Sequence, residues 1–281
     1  MRIGEFEAMI VSDGEFRVDG GAMFGVVPRV LWERLTQPDA LNRIRMATNC
    51  LLVRRGADVV LIEAGIGRKL SKKHREIYAV TDEVTLEKSL RAAGVEPEQV
   101  THVVLTHLHF DHCGAATKRD DEGRIVPMFP NARHCIQRAE WKAAMRPTPA
   151  TETAYDLDNV QGLEGRGLVK LIDGDTEIVP GVRAHVVAGH THAHQVVHVR
   201  SGGETLVFPG DLIPTSYHVR ARYSAAYDLN AEENTVNKIA FLERAAREGW
   251  RIVFYHDPEV PVATVEKDST GHFVVKPVAA A

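Results

Sequence analysis

The sequence predicts an α/β protein that folds as a four-layer α/β sandwich, in one domain over residues 1–281. Three observations support this fold class. Short apolar runs rich in β-branched residues alternate with stretches of helical spacing, which indicates alternating strands and helices. Strands followed by helices occur twice along the chain, which indicates two similar halves. Polar side chains directly follow four of the apolar runs, as they do where an α/β fold builds a site at strand ends.

The first half of the chain begins with strands. The predicted strands are residues 6–10, 15–18, 49–54, 58–63 and 101–105. The first two are expected to be joined by a turn around Asp13. Residues 20–28 (GGAMFGVVP) are too glycine-rich for a regular element and are interpreted as a loop. A helix is predicted over residues 84–93, and Gly94 is a suitable residue to end it.

The second half repeats this organisation. The predicted strands are residues 133–136, 168–172, 182–187, 195–200, 206–208 and 252–255. Helices are predicted at 138–145 and 231–248, and a terminal hairpin at 262–275. Residues 147–167 are polar and contain Pro and Gly, so they are interpreted as a loop or a helical insertion. The apolar stripe of the long helix is expected to contain Ile239, Leu242 and Ala246.

The composition excludes several classes of protein. The chain has 281 residues, 44% hydrophobic content and a formal net charge of -4, so it can form a substantial core but has no basic field for a nucleic-acid backbone. Cys50, Cys113 and Cys135 show no C-x-x-C spacing, which favours a reducing compartment. Glu5 and Glu7 lie in the first ten residues, which do not read as a signal peptide or a membrane anchor. We therefore expect a cytoplasmic protein.

The motif T-H-L-H-F-D-H-C at residues 106–113 is the strongest functional signal, and it directly follows a predicted strand. His107 and His109 are two residues apart, so in an extended backbone they point the same way and can share one metal ion. Asp111 and His112 come next, in a turn, and can face a second ion. Imidazoles and carboxylates in this spacing favour zinc or a similar divalent metal. The alternative is three histidines in a polar loop that binds no metal.

Three further candidate ligands, His190, Asp211 and His256, stand at the ends of other predicted strands. Each alone could be a simple turn residue, and Asp211 especially so because Gly-Asp is a common turn pair. Their recurrence after three separate apolar runs favours a shared site for two metals. His192 and His194 alternate with His190, and we interpret them as one positioning partner and one solvent-facing or helix-start residue rather than as a second metal cluster.

This pattern, H-x-H-x-D-H followed by a distant His, Asp and His, resembles the metallo-β-lactamase superfamily over residues 49–256. The resemblance implies an αββα fold with two divalent metal ions between the two central sheets. Zinc is the expected metal, with iron, manganese or cobalt as alternatives. The implied ligands are His107, His109 and His190 for one ion, Asp111, His112 and His256 for the other, and Asp211 as the bridge between them.

Residue identities narrow the resemblance within the superfamily. His109 stands where flavodiiron oxidoreductases have Glu, which disfavours redox chemistry, and the complete ligand set disfavours true β-lactamases. The set is similar to that of the lactonase, glyoxalase II, phosphotriesterase and RNase Z branches, of which the acidic net charge weakens RNase Z. DGGAMFGVVP at residues 19–28, with Trp32 beyond it, and GDLIPTS at 210–216 resemble segments of a quorum-quenching lactonase subgroup.

Two positions depart from this resemblance. Glu63 stands where the superfamily usually has Asp, in a D-[TS]-G turn, and its longer side chain must pack differently. Pro214 stands where acyl-homoserine lactonases carry Tyr, three residues after the bridging Asp. Tyr217, His218 and Tyr223 are the candidates to replace that tyrosine, the first two as catalytic groups and the third as a substrate contact.

The expected function is that of a dinuclear metal-dependent hydrolase that opens a lactone ring, in an N-acyl-homoserine lactone or a similar hydrophobic ester. A hydroxide shared by the two ions attacks the carbonyl carbon, and one ion polarises the carbonyl oxygen. Asp211 is expected to hold the ions together, and Asp111 to accept a proton from the nucleophile. Met23 and Phe24, in the glycine-rich segment, are the candidate contacts for the acyl chain, and the alternative is that this segment only fills the core.

Several alternatives remain beside this expectation. The same ligand set serves a thioesterase of the glyoxalase II kind or a phosphotriesterase. From another class, the chain could be a metal-stabilised binding or sensor protein, although seven intact ligands favour an enzyme. The expected partner is a small-molecule ester or lactone, with no nucleic acid and no membrane, and a homodimer is left open.

Overall fold

Two seven-stranded sheets form the centre of the structure, a computed structural model that describes residues 1–278. The strands, in chain order, are β1 (Arg2–Ile3), β2 (Phe6–Asp19), β3 (Arg43–Arg55), β4 (Asp58–Ile62), β5 (His102–Val104), β6 (Thr117–Arg119), β7 (Ile125–Pro127), β8 (Arg133–Gln137), β9 (Val169–Ile172), β10 (Thr176–Val179), β11 (Val182–Val186), β12 (Gln195–Ser201), β13 (Glu204–Phe208), β14 (Arg251–Val253), β15 (Val262–Lys267) and β16 (Phe273–Pro277). The α-helices are α1 (Gly20–Phe24), α2 (Arg29–Trp32), α3 (Lys72–Ile77), α4 (Leu86–Ala92), α5 (Phe110–Cys113), α6 (Arg138–Met145), α7 (Gln161–Glu164) and α8 (Ala231–Glu248).

Both sheets are mixed. The first has the order β1-β2-β3-β4-β5-β8-β9, antiparallel up to β4 and parallel from β4 onward. The second has the order β10 to β16, and its one parallel pair is β13 with β14. Two of the three residues in each of the parallel strands β5 and β14 are apolar and buried, as expected of strands that are covered on both faces. In each sheet the carboxyl ends of the parallel strands meet at one edge, and that arrangement brings the loops after them together.

The two sheets pack face to face around a shared hydrophobic core. Side chains from both sheets belong to it, among them Phe6, Leu51, Val197 and Phe208. Helices α4 and α6 pack on the first sheet, and α8 packs on the second, where Leu242 and Ala245 help to form a separate buried cluster. The predicted four-layer α/β sandwich is confirmed. Within residues 1–278, no helix is both long and apolar enough to cross a membrane.

The prediction of two separate N-terminal strands was wrong. β2 is one strand of 14 residues, and its register against β3 shifts between Ser12 and Glu15. At this β-bulge the buried Asp13 carboxylate accepts hydrogen bonds from the backbone N–H groups of Gly67 (2.7 Å) and Leu86 (2.7 Å). A Ser-Asp-Gly sequence suits a bulge as well as a turn, and only the pairing with β3 distinguishes the two.

The interpretation of residues 20–28 as a loop was also wrong, because the segment begins with helix α1. The Asp19 side chain caps this helix by accepting a hydrogen bond from the Ala22 N–H at 2.9 Å. Gly20 is needed for packing: a Cβ there would lie 2.5 Å from the Trp32 ring. Met23 and Phe24 are consequently drawn inward, with 4% and 0% of their surfaces exposed.

Helix α8 has the predicted bounds, and two of the three residues of its predicted stripe face the core: Leu242 is fully buried and Ala246 packs against the same cluster. The third, Ile239, is 36% exposed, so that part of the prediction was wrong. Lys238 is buried instead, and its amine donates a hydrogen bond to the carbonyl oxygen of Tyr223 at 2.5 Å. Burial lowers the pKa of Lys238 to about 8. The strand β10 and the small hairpin of β6 and β7 lie in segments for which the sequence predicted no element.

Candidate metal centre

The loop after β5 carries four of the predicted ligands to the edge of the first sheet. His107 and His109 lie in extended backbone directly after the strand, while Asp111 and His112 lie in the short helix α5. The side chain of His112 is fully buried, and the Asp111 carboxylate is nearly so, with 14% exposed. The chain therefore changes from strand to helix within the motif, and this change aims the two pairs of ligands in different directions.

His107, His109 and His190 form the first ligand group. The Nδ1 atom of His109 lies 3.1 Å from the Nε2 atom of His190, and their candidate ligand atoms, with that of His107, all lie within 4.8 Å of one another. Burial and the neighbouring His112 hold the pKa of His107 well below its usual range, so its imidazole is neutral. Three converging imidazoles are a donor set that suits zinc and similar divalent metals.

Asp111, His112 and His256 form the second group. The Nε2 atoms of the two histidines are 3.2 Å apart, and the Asp111 Oδ2 atom lies 3.5 Å from that of His256. His256 follows β14 and Asp211 follows β13, so the parallel pairing of these two strands delivers both residues to the same edge of the second sheet.

Asp211 lies between the two groups. Its Oδ1 atom is 3.4 Å from the Nε2 atoms of both His112 and His256, and its Oδ2 atom is 3.4 Å from that of His190. Burial opposes ionisation, but the surrounding imidazoles dominate and hold the pKa of Asp211 well below its usual range. One carboxylate oxygen thus faces each group, which is the arrangement a bridging ligand requires.

The residues fit a bound metal. The His107 Nε2 and Asp211 Oδ1 atoms are buried and have no hydrogen-bond partner among the described residues. Such orphaned polar atoms are costly in a folded protein unless they bind something, and both point into the ligand groups. The structure brings all seven predicted ligand side chains together at this one place: His107, His109, Asp111, His112, His190, Asp211 and His256.

Three of the five ligand histidines are hydrogen-bonded through the ring nitrogen that faces away from the groups. The partners are the Thr106 hydroxyl for His107 (2.9 Å), the Ala47 carbonyl for His256 (2.9 Å) and the Asp228 carboxylate for His190 (2.9 Å). The Nδ1 atom of His112 approaches the Glu63 carboxylate at 3.3 Å without forming a hydrogen bond. A partner at the remote nitrogen fixes the tautomer and the ring orientation of a metal-binding imidazole.

Glu63 shows how the longer side chain at this position packs. Its carboxylate accepts hydrogen bonds from the Thr106 hydroxyl and from the Thr106 N–H (3.2 Å), and it also approaches His112. The residue is fully buried, and burial raises the pKa of its carboxyl group. Its backbone adopts φ +69°, which is uncommon for a residue with a side chain. Glu63 therefore supports the ligand loop from behind.

Two further residues support the site. Asp228 was not predicted, because it lies 38 positions from His190 in a segment without a motif; Asn234 also donates to it, at 3.0 Å. His194 is fully buried and accepts the Asp211 N–H at 3.1 Å, so it is the positioning partner expected from the alternating histidines. His192 is exposed.

A cavity of about 360 Å³ opens beside the metal centre. His109, Asp111, His190, Asp211 and His256 form part of its wall. Its apolar and aromatic wall is formed by Phe16, Val18, Met23, Met46, Tyr78, Phe110, Ala150, Ala154, Ala226, Tyr227 and Leu229.

Met23 lines this cavity, but Phe24 does not. The Phe24 ring is stacked between Trp32 (centroids 5.4 Å apart) and His218 (5.1 Å), inside a hydrophobic cluster. The structure thus corrects the prediction that both residues contact an acyl chain. In α1, consecutive residues point in different directions, so Met23 and Phe24 cannot share one wall.

The three candidates to replace the missing tyrosine lie outside the cavity wall. His218 is buried, with Nδ1 2.7 Å from the Thr215 hydroxyl and Nε2 2.9 Å from the Met23 carbonyl oxygen. Tyr223 packs edge-on against Phe24, and its hydroxyl accepts a hydrogen bond from Arg220. Tyr217 is likewise absent from the lining residues. A 3-10 turn over Ser216–Val219, capped by Thr215, directs this segment into the core.

Comparison with known proteins gives three sets of similarities. Residues 43–256 match the family model of the metallo-beta-lactamase superfamily. An N-acyl homoserine lactonase from Bacillus sp is 28% identical over 184 residues, covering 64% of this chain and 65% of that protein. The N-acyl homoserine lactonase AttM from Rhizobium johnstonii is 31% identical over 176 residues, covering 60% and 62%. The chain thus spans just under two thirds of the length of these relatives.

Solved structures are similar over almost the whole chain. A probable metal-dependent hydrolase from Staphylococcus aureus is 26% identical, with a TM-score of 0.90 over 99% of this chain and 100% of that one. AidC, a dizinc quorum-quenching lactonase in complex with a product, is 22% identical, with a TM-score of 0.80 over 99% and 96%. At that identity the second likeness concerns the fold alone.

Proposed function

This chain belongs to the metallo-beta-lactamase superfamily, and on that premise we propose that it is a metal-dependent hydrolase that opens the lactone ring of N-acyl-homoserine lactones or of similar hydrophobic esters. The observation that carries the proposal is the cavity beside Asp211, whose wall is mainly apolar away from the ligand groups. A cavity of this size and character suits a small ligand with a polar reactive end and an apolar tail.

We propose that the seven converging side chains hold two divalent metal ions, zinc being the preferred metal for an imidazole-rich set. When bound, two such ions supply Lewis acidity for the ester carbonyl and activate water as the nucleophile. The two ligand groups and the two-sided position of Asp211 support a dinuclear rather than a mononuclear centre.

The chain's own residues contribute orientation and proton transfer. Asp211 holds the two ligand groups at a fixed distance from each other. His194 keeps Asp211 in place by accepting a hydrogen bond from the backbone N–H of Asp211. Asp111 reaches the cavity with a carboxylate oxygen and is the group positioned to accept a proton from the nucleophile. Met23 and Phe16 offer apolar contact for an acyl chain, where each buried methylene is worth about 0.8 kcal/mol.

The relatives support this substrate class without deciding it. The two lactonases described above bear the name N-acyl homoserine lactonase, and this chain matches less than two thirds of each. If the chain shares their substrate, it degrades a quorum-sensing signal.

The test is a substrate panel with purified, metal-loaded protein. We expect turnover of acyl-homoserine lactones that exceeds turnover of thioesters and phosphotriesters, complete loss with a chelator, and about two metal ions per chain by elemental analysis. His109→Ala should lose metal and activity together, whereas His192→Ala, an exposed histidine outside the ligand groups, should lose neither.

Different outcomes would exclude different parts of the proposal. Faster thioester or phosphotriester turnover would reassign the substrate class. Metal binding without turnover of any ester would indicate a binding or sensor protein. One ion per chain at full activity would contradict the dinuclear centre.

A further inference from the structure

Ring opening of a lactone creates an alkoxide, a poor leaving group that departs far more readily when it receives a proton. Pro214 has no group that could donate one. His218 has both ring nitrogens within hydrogen-bond distance of Thr215 and Met23, and Tyr217 and Tyr223 lie outside the cavity wall. None of the residues that the sequence offered in place of the missing tyrosine is therefore placed in the cavity to donate this proton.

Two other tyrosines, Tyr78 and Tyr227, do line the cavity. Tyr78 belongs to its apolar side: the ring packs against Phe110 (centroids 4.9 Å apart) and Phe16 (6.5 Å). It also terminates the short surface helix α3, which has no buried residue. Its contacts make the Tyr78 ring part of a hydrophobic wall.

Tyr227, by contrast, is attached to the metal centre through its own segment. The next residue, Asp228, holds the His190 imidazole at 2.9 Å. One position further on, the Leu229 N–H donates to the His190 carbonyl oxygen at 3.1 Å. The position of Tyr227 is thereby coupled to that of a ligand histidine.

The other side of the segment is anchored as well. The Ala226 N–H donates to the Ala22 carbonyl oxygen at 2.7 Å, and the Asn230 N–H donates to the Gly189 carbonyl oxygen at 2.8 Å. Tyr227 itself is 47% exposed, so its side chain stands where the cavity meets solvent. Partial burial of the side chain raises the pKa of Tyr227 to about 12, so the phenol carries its proton at neutral pH.

We propose that Tyr227 donates the proton to the leaving alkoxide, a role that rests on the proposed lactone hydrolysis. The bond between the nucleophile oxygen and the carbonyl carbon forms, and the ring bond between that carbon and the ester oxygen breaks. The electron pair of the broken bond stays on the ester oxygen, which takes the proton of the Tyr227 hydroxyl. The phenolate left behind regains a proton from water, to which the half-exposed side chain has access.

The experiment compares Tyr227→Phe with the wild type on two substrates that carry the same acyl group. One is the homoserine lactone, whose alkoxide needs a proton, and the other is the p-nitrophenyl ester, whose phenolate leaves without one. We expect kcat for the lactone to fall about 100-fold, the lower end of the range for general acid catalysis, with less than a twofold change for the aryl ester. Metal content should equal that of the wild type.

Binding of the ring-opened product gives a readout that does not depend on turnover. The product keeps the hydroxyl that received the proton, so Tyr227→Phe should weaken the Kd of N-hexanoyl-homoserine about fivefold in calorimetry, as expected for one lost hydrogen bond. Tyr78→Phe is the matched variant: it removes the other cavity phenol and should leave the ratio of lactone to aryl ester turnover within about twofold of the wild type.

The outcomes separate this inference from the proposed function. Equal losses on both substrates, or a rise in KM with unchanged kcat, would overturn the assignment of Tyr227 while lactone hydrolysis stands. If Tyr78→Phe, and not Tyr227→Phe, selectively loses lactone turnover, the proton donor is Tyr78. If the wild type hydrolyses no lactone, the proposed function fails, and the leaving-group role fails with it.

Discussion

The two ring nitrogens of each candidate ligand histidine have different surroundings. One nitrogen points into a ligand group, and for His107, His190 and His256 the other is hydrogen-bonded to a polar group of the protein. Because the partners differ in chemical kind, the hydrogen bonds that they form with the imidazoles are expected to differ in strength. Asp228 brings a buried charge to His190, whereas Thr106 and Ala47 bring neutral oxygens to His107 and His256.

The first prediction at this scale concerns Asp228. Asp228→Ala removes the carboxylate that orients His190, so metal affinity should fall about 10- to 100-fold while the fold is retained. Competition with a metal-binding dye measures the metal affinity, and circular dichroism shows whether the fold is retained. Asp175→Ala is the control, because Asp175 makes the same kind of contact with His185 (2.7 Å), which is not a ligand. Equal metal affinity in the two variants would contradict the role of Asp228.

The second prediction concerns His134, which is fully buried in β8. Burial lowers its pKa to about 4, against about 6.5 in an unfolded chain. Between these values the unfolded chain binds a proton that the folded chain does not. The free energy of unfolding therefore decreases as pH falls through this window, by about 3 kcal/mol in total from this residue.

His134→Leu should remove that contribution. Urea unfolding of metal-free protein at pH 7 and at pH 4 gives the decrease in the free energy of unfolding on acidification for each protein. This decrease should be smaller in the variant by about 3 kcal/mol. The same histidines of the metal centre titrate in both proteins, so their contribution cancels in the comparison. If the free energy of unfolding depends on pH equally in both proteins, the pKa of His134 is not lowered in the folded state.

At the scale of single elements, helix α1 shows how five residues combine packing with a contribution to the cavity. Asp19 caps it, Gly20 lets it approach the Trp32 ring, and its last two residues diverge. Met23 reaches the cavity and Phe24 enters the core between Trp32 and His218. Substitutions at these adjacent positions should therefore have different effects.

The third prediction follows from this divergence. Met23→Ala should lower kcat/KM for long-chain lactones more than for short-chain ones, by up to about tenfold, because several methylenes lose an apolar contact. Phe24→Ala should instead reduce the free energy of unfolding by about 3–5 kcal/mol through the cavity it leaves. Kinetics across a chain-length series and urea unfolding measure the two effects. A chain-length effect confined to Phe24→Ala would reverse this assignment.

At the scale of the whole molecule, the metal centre joins the two sheets. His107, His109, Asp111 and His112 come from the first sheet, whereas His190, Asp211 and His256 come from the second. Backbone hydrogen bonds cross between the sheets at the same end, from Gln195 to Thr106 (2.9 Å) and from Asn49 to Tyr255 (2.9 Å). Bound metal would therefore tie together the two halves of the fold.

The fourth prediction is that metal removal destabilises the entire protein. A ligand that binds only the folded state stabilises it by mass action, so chelation should lower Tm by about 5–10 °C. Differential scanning calorimetry before chelation, after it and after restoring zinc measures the effect. A Tm that does not change with metal content would show that the two sheets are held together without the metal centre.

Residue order along the chain was sufficient to predict most strands of the two central sheets, the four-layer architecture and the candidate ligands, but not β6, β7, β10 or the continuity of β2. The reason is local: an apolar run specifies a buried strand, and a polar residue directly after it lies at the edge of the sheet, whatever the rest of the chain does. His107, His190 and His256 each follow such a run. The first and last residues of helix α8 could be predicted for the same reason, because its cap residues Asn230 and Gly249 directly flank it in the sequence.

Tertiary structure alone decided which side chains support and surround the site. Asp228 meets His190 across 38 residues, and the segment that carries Tyr227 to the cavity is hydrogen-bonded to helix α1 and to the loop after β11. The same applies to Phe24, whose burial depends on Trp32 and His218 closing over it. These contacts arise from the packing of remote segments, and the spacing of residues in one stretch of sequence contains no information about which remote stretch will lie against it.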